Sequence, residues 1–141
     1  MTTVCFDASA LVSLFVGDDF GERCETFIET YAPNILVSDF AVVEFASAIN
    51  KLVRMDMLTT SVGQGVFVDF DAWRRRAVTH VSVEGRDLAT ADDYLRRLDL
   101  NLRTGDAIHI AVTARVGASL ATFDLRMAQV AARLGVEIEP A

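Results

Sequence analysis

The sequence predicts an α/β protein: a single-domain, three-layer sandwich in which helices cover both faces of a central parallel sheet. Short runs rich in β-branched and aromatic residues alternate with longer helical patterns, and this alternation is typical of parallel sheets. The first run, residues 4–6, is continuously apolar, as expected of a strand buried on both faces. The chain has 141 residues, of which 52% are hydrophobic, so it has the length of one domain and can fill a sizeable core.

Caps and helix breakers divide the first half of the chain into elements. Gly17 ends the first helix, Asp18 and Asp19 provide the turn and the N-cap of the second, and residues 33–34 close it. A third helix follows a cap at residues 38–39. The predicted elements are strands at 4–6 and 35–37 and helices at 9–16, from 19 to 31, at 40–55 and from about 60 to 77.

Strands and helices continue to alternate in the second half. Residues 86–98 are amphipathic, with four apolar side chains spaced as one helical face, namely Leu88, Ala91, Leu95 and Leu98. A turn at 103–105 precedes a strongly apolar helix that begins at Asp106 and ends at Gly117. Gly135 ends the last helix. The remaining predicted elements are strands at 78–83, near a sheet edge, at 119–123 and at 136–138, and a helix at 125–134.

Composition and charge exclude several classes of protein. No apolar run approaches the roughly 20 residues of a membrane span, and the first residues lack the basic region of a signal peptide, so we expect a cytoplasmic protein without a membrane segment. Cys5 and Cys24 do not make a disulfide framework and are expected to be small buried side chains. The net charge of −7 argues against passive adhesion to nucleic acid but allows a nucleic-acid enzyme with local basic patches.

Four carboxylates lie in apolar sequence instead of on solvated helix faces. Asp7 follows VCF, Glu44 lies in FAVVEFASAI, Asp106 in GDAIHIAV and Asp124 in SLATFDLRMA. Each falls at the carboxyl end of a strand or in the first two turns of a helix, and in a parallel sheet these positions share one edge. Carboxylates gathered there repel one another unless cations such as Mg²⁺ neutralise them. Metal-dependent phosphodiester hydrolysis is therefore the leading hypothesis.

Each acid also has an ordinary structural interpretation. A single carboxylate of this kind is more often a helix cap or a turn residue, and Asp106 would favour the helix dipole. Glu44 is the hardest to explain in this way, because it lies mid-helix among apolar neighbours. A regulatory phospho-receiver domain would need a lysine late in the chain, whereas the sole lysine is Lys51 in the third helix. The chain has no P-loop.

Basic and aromatic residues provide weaker candidates. Residues 73–76, a tryptophan followed by three arginines, could bind phosphates and stack a base, but we expect a packed tryptophan and a solvated helix end. Arg96, Arg97 and Arg103 lie nearer the acidic turn and are better candidates for RNA phosphate contacts. His109 lies one helical turn after the aspartate of that turn, and we interpret it as a packed residue without a catalytic role.

The segments VCFDAS, LRTGDAIHIA and ATFD, together with the lone Glu44 in the third helix, resemble the PIN-domain ribonucleases. The chain length and LRTGDAIHIA resemble more closely the VapC-type toxins of toxin–antitoxin pairs. The resemblance spans residues 4–138, whereas residues 58–101 carry no motif of that family. It implies that residues 1–141 form a single PIN-like nuclease domain.

The resemblance also implies site residues, cofactors and partners. The catalytic acids, which also bind Mg²⁺ or Mn²⁺, would be Asp7, Glu44, Asp106 and Asp124, with Ser9 and Thr122 supporting the site. The substrate would be RNA, and the toxin would form a homodimer that binds a small antitoxin protein over the acidic site. A PIN-like scaffold that has lost its activity is the alternative, and the presence of all four acids argues against it.

Overall fold

A five-stranded parallel sheet forms the centre of the computed structural model, which describes residues 2–139. The strands are β1 (Thr3–Phe6), β2 (Asn34–Ser38), β3 (Val78–Val81), β4 (Ser119–Ala121) and β5 (Ile138–Glu139). Their order in the sheet is β3-β2-β1-β4-β5, and every neighbouring pair is parallel. The predicted fold class, with a central parallel sheet and β3 at an edge, is confirmed.

Seven α-helices connect the strands within the described residues. They are α1 (Ala8–Val12), α2 (Asp19–Tyr31), α3 (Asp39–Arg54), α4 (Thr60–Ala77), α5 (Gly85–Arg96), α6 (Thr104–Val116) and α7 (Leu125–Arg133). A π-helical segment, Ser13–Gly17, follows α1 directly. Among residues 2–139, no helix combines the length and the apolar composition that crossing a bilayer requires.

The sheet separates two hydrophobic regions. Val4 and Phe6 of β1 point to one face, where they pack with side chains of α1 to α4 in a single buried cluster. On the other face, Leu120 of β4 packs against Ile110 of α6 and Met127 of α7. Successive strand residues alternate between the two faces, so the chain forms a three-layer sandwich with helices on each side of the sheet.

Several predicted boundaries are wrong, and local hydrogen bonds explain two of them. The predicted strand 119–123 ends at Ala121, because the backbone N–H groups of Phe123 and Asp124 bind the hydroxyls of Ser9 and Thr122 instead of a strand. The predicted strand 136–138 begins only at residue 138, since the N–H of residue 136 still binds a carbonyl of the preceding helix. The strand at 78–83 ends at residue 81, and the helix at 9–16 is divided into α1 and the π-helical segment.

The predicted inner face of α5 is wrong at two of its four residues, whereas Ala91 is buried and Leu95 packs against the same cluster. Leu88 is 51% exposed, and Leu98 is 91% exposed and lies beyond the end of the helix. The buried residues of α5 are Asp87 and Ala91. Asp87 faces inward because its Oδ1 accepts a hydrogen bond of 2.7 Å from Nε of Arg115 on α6, which compensates the buried charge.

Candidate active site

Asp7 and Asp124 lie where two neighbouring strands end. Phe6 of β1 pairs with Ala121 of β4, and the N–H of Asp7 donates to the Ala121 carbonyl at 3.1 Å, so Asp7 begins where both strands finish. The Asp7 Oδ1 accepts the N–H of Ala10 at 2.9 Å and caps α1. Asp124 caps α7, because its Oδ1 accepts a backbone N–H from the first turn of that helix at 3.1 Å. Each carboxylate therefore stabilises the N-terminus of a helix at the carboxyl edge of the sheet.

Two hydroxyl groups connect these aspartates. Ser9 donates to Asp7 Oδ1 at 2.7 Å, and its oxygen lies 3.3 Å from the hydroxyl oxygen of Thr122. The Thr122 hydroxyl in turn accepts the backbone N–H of Asp124 at 3.1 Å. The polar path from Asp7 through Ser9 and Thr122 to Asp124 thus joins residues more than 110 positions apart in the sequence.

Asp106 lies in the first turn of α6 and contacts two arginines. Its Oδ2 lies 3.2 Å from Nη2 of Arg126 and 3.5 Å from Nε of Arg103. Arg103 also reaches Asp124, with its Nη2 at 3.3 Å from Oδ2. Arg103 therefore bridges two of the predicted acids. Arg126 was not among the predicted site residues, although its position two residues after Asp124 indicated that it lies near the acids.

Glu44 reaches the same region from α3. Its Oε1 contacts Nε2 of His109 on α6, and its Oε2 lies only 2.7 Å from the position that a Cβ atom on Gly105 would take. The ring of Phe40 packs edge-on against His109, with ring centroids 5.1 Å apart. His109 is packed, as predicted, with 7% of its side chain exposed, but the prediction missed its contact with Glu44. The position of Glu44 among apolar neighbours in α3 was the available signal that it has a polar partner.

Burial dominates the electrostatics of Asp7. Asp7 is 3% exposed, and loss of solvent raises the pKa of its carboxyl group above the ordinary value, although hydrogen bonds from Thr122, Ala10 and Ser9 and the proximity of His109 act in the opposite direction. The charged form of Asp7 is therefore costly, and a cation in the site would stabilise it.

The donor set is compatible with a hard divalent cation. Within residues 2–139, no group of three or more His, Cys, Asp or Glu side chains has a geometry that could hold a metal ion. Mg²⁺, however, usually binds to one or two carboxylates and completes its coordination with water and substrate phosphate. Arg103, the bridging cation, has a side chain that is 68% exposed, so it has room to leave the carboxylates.

Other predicted candidates lie outside this cluster of acids. Arg96 is exposed and forms an ion pair with Asp92 one turn earlier on α5, at 3.0 Å. Arg97 is exposed at the end of the same helix. Trp73 is packed, with ring contacts that include Phe15 at a centroid distance of 5.2 Å.

The two cysteines are free and buried, as expected. Burial raises the pKa of the Cys5 thiol to about 11 and that of Cys24 to about 12. Neither thiol is a nucleophile near neutral pH, because the thiolate is the reactive form.

Known proteins are similar to this chain in sequence and in fold. Ribonuclease VapC46 from Mycobacterium tuberculosis is 28% identical over 141 residues, covering 98% of this chain and 97% of the relative. VapC20 from Mycobacterium tuberculosis, described as a sarcin-ricin loop cleaving toxin, has a similar fold, with a TM-score of 0.69 at 19% identity over 89% of this chain and 93% of that one. DNA-bound VapBC from Salmonella typhimurium gives a TM-score of 0.72 at 13% identity over 99% and 98% of the two chains.

A family model agrees with these similarities. The model of the PIN domain matches residues 4–133, which contain all four acids and every element from β1 to α7. Three of these acids, distant in sequence, are connected through two hydroxyl groups and Arg103 at one edge of the parallel sheet in the described structure. The chain belongs to the PIN domain family.

Proposed function

We propose that this chain is an endoribonuclease that uses Mg²⁺ or Mn²⁺ to hydrolyse RNA phosphodiester bonds, and that it acts as the toxin of a type II toxin–antitoxin system. The observation that supports this most strongly is the series of contacts that connects Asp7, Asp124 and Asp106 at one sheet edge. Glu44 contacts His109 on α6, the helix that carries Asp106. Ribonuclease VapC46 and the toxin VapC20, both similar to this chain, support RNA as the substrate.

The four acids are the proposed catalytic residues and metal ligands. A bound divalent ion would lower the pKa of a coordinated water and stabilise the leaving oxygen. Ser9 and the N–H of Ala10 fix the Asp7 carboxylate, and Thr122 orients the backbone of the segment that presents Asp124. His109 holds one oxygen of Glu44. These contacts restrict the side chains before substrate binds, which is how a site avoids reorganisation during the reaction.

Arg103 is the proposed RNA contact best supported by the structure. It is largely exposed and lies against Asp106 and Asp124, so its guanidinium group is within reach of a phosphate bound beside these acids. Arg96 and Arg97 stay candidates for more distant phosphates. Arg96 would have to release Asp92 to bind RNA.

The proposed partners follow from the similar structures. VapBC from Salmonella typhimurium and VapBC-1 from Haemophilus influenzae cover 99% and 98% of this chain. We propose that this chain forms a homodimer, binds an antitoxin over its acidic edge and acts in the cytoplasm as a single domain spanning residues 1–141.

The decisive experiment is RNA cleavage with and without metal. The purified chain should cleave RNA with Mg²⁺ or Mn²⁺ and lose this activity in EDTA. Asp7→Asn and Asp106→Asn should abolish cleavage while the protein stays folded, whereas Asp93→Asn, at an exposed acid on α5, is the matched control. Full activity in both site variants would refute the assigned roles.

Thermal unfolding and RNA cleavage, measured together, distinguish a nuclease from an inactive scaffold. Mg²⁺ that binds the folded chain raises its melting temperature with concentration, and Asp7→Asn should remove that shift. A wild-type chain whose melting temperature rises with Mg²⁺ and Mn²⁺, but which cleaves no RNA from total cellular RNA, would be a binding scaffold. A chain that shows neither effect would contradict the proposed metal site.

A further inference from the structure

An exposed aromatic stack lies beside the acids. The rings of Phe20, in the first turn of α2, and Phe123, after β4, are stacked with centroids 4.8 Å apart and planes inclined by 23°. Phe20 is 46% exposed. The guanidinium carbon of Arg23 lies 5.8 Å from the Phe20 centroid and 5.7 Å from the Phe123 centroid. We refer to Phe20, Phe123 and Arg23 as the aromatic platform.

Backbone contacts fix the platform next to the site. The N–H of Phe123 donates to Ser9 Oγ at 3.0 Å, and the same hydroxyl donates to Asp7. Asp124 follows Phe123 directly in the chain. Almost half of Phe20 is accessible to solvent, and Phe123, on which its ring is stacked, directly precedes one of the acids. Tyr31 offers a comparison, because this exposed aromatic residue lies at the opposite end of α2 and packs on Phe27.

We propose that the aromatic platform is a stacking subsite for an unpaired nucleobase next to the scissile phosphate. This inference rests on the proposed function, which it deepens by naming residues beside the acids that would hold a base of the substrate. An aromatic ring backed by a guanidinium group stacks any base, whereas the base faces of a duplex are already covered by their neighbours.

The net charge of the chain makes local contacts necessary for RNA binding. The chain has a net charge of −7, so general electrostatic attraction for a polyanion is lacking. Binding must then depend on local contacts, and the platform supplies an exposed π-face with a cation close to the proposed metal ligands.

The test measures the affinity for a fluorescently labelled, mixed-sequence single-stranded RNA by anisotropy, with Ca²⁺ in place of Mg²⁺ to measure binding. Phe20→Ala should weaken binding roughly 5- to 140-fold, the loss expected from one base–aromatic stack. Phe20→Leu, which keeps apolar bulk without a π-face, should bind the RNA as weakly as Phe20→Ala does. Phe20→Trp should bind it with an affinity close to that of the wild type. Tyr31→Ala is the matched control and should bind as the wild type does. Fully paired RNA should bind equally to all variants.

The outcomes separate the two proposals. Wild-type chain that binds no RNA and cleaves none with Mg²⁺ overturns the proposed function, and the stacking subsite with it. Wild type that binds RNA while folded Phe20→Ala binds equally well overturns the stacking subsite alone. Recovery of affinity in Phe20→Leu overturns it too, because apolar bulk and not stacking would then be the cause. Equal RNA affinity together with altered self-association would identify the platform as a protein contact and overturn the proposal.

Discussion

Gly105→Ala tests how closely the site depends on the position of Glu44. A Cβ atom at residue 105 would lie 2.7 Å from Glu44 Oε2, whereas ordinary contacts begin at 3.4 Å. The carboxylate oxygen must therefore move, and a retreat of 0.7 Å, the difference between these two distances, brings it to an ordinary contact. The backbone itself accepts alanine, since Gly105 lies in the first turn of α6 and is not among the residues with positive φ.

The expected result is a large loss of activity with little loss of stability. Glu44 is a flexible side chain and can move, and alanine in a helix is favoured over glycine by about 0.5–1 kcal/mol. The free energy of unfolding should thus stay within about 1 kcal/mol of the wild-type value. Displacing a catalytic group by about 1 Å can reduce the rate roughly 100-fold, so we expect a decrease in kcat of about 10- to 100-fold at saturating Mg²⁺.

The control is Gly65→Ala in α4, where an added Cβ meets nothing within 4 Å. This variant should keep wild-type activity and gain about 0.5–1 kcal/mol of stability. The assays are RNA cleavage under saturating metal and substrate, and thermal unfolding with and without Mg²⁺. Wild-type kcat and metal response in Gly105→Ala would refute the inference that this glycine leaves the space Glu44 needs.

Two further predictions concern buried carboxylates. In EDTA at neutral pH, Asp7→Asn should melt at or above the wild-type temperature. The raised pKa of Asp7 means that its charge destabilises the fold at neutral pH, and this cost disappears as the pH falls. Asparagine keeps the helix cap. A lower melting temperature than wild type would contradict this. Arg115→Met should cost about 3–5 kcal/mol in urea unfolding, because it leaves Asp87 buried without its partner. Burial alone would raise the pKa of Asp87, but hydrogen bonding and the charge of Arg115 hold it below the ordinary value. The ion pair therefore stabilises the fold at pH values above the pKa of the unfolded carboxyl group. The difference in unfolding free energy between wild type and Arg115→Met should become smaller in acid.

The fold was predictable because its signals are local. The apolar run before Asp7 indicates a buried strand, and glycines at the helix ends mark the turns, with Gly117 at φ 68° and Gly135 at φ 84°. The carboxyl ends of parallel strands share an edge, so the approach of Asp7 to Asp124 follows from topology alone.

Contacts between distant segments were not predictable. Glu44 and His109 are 65 residues apart, and neither sequence context identifies the other as its partner. The inner face of α5 was wrong for a related reason. Apolar periodicity assigns polar residues to the surface, whereas Asp87 is buried because Arg115 on another helix neutralises it.

The four acids have different side-chain partners, and these partners indicate which acid is stabilised most by a bound cation. Glu44 has His109, and Arg103 bridges Asp106 and Asp124. The contacts that fix Asp7 are hydroxyl groups and a backbone N–H, and its pKa is raised by burial. A hydroxyl and an amide orient a carboxylate without neutralising its charge, so Asp7 gains most when a divalent ion binds. Since β1 and the α1 cap hold it rigidly, we expect Asp7 to anchor the ion, while the exposed Arg103 turns towards phosphate.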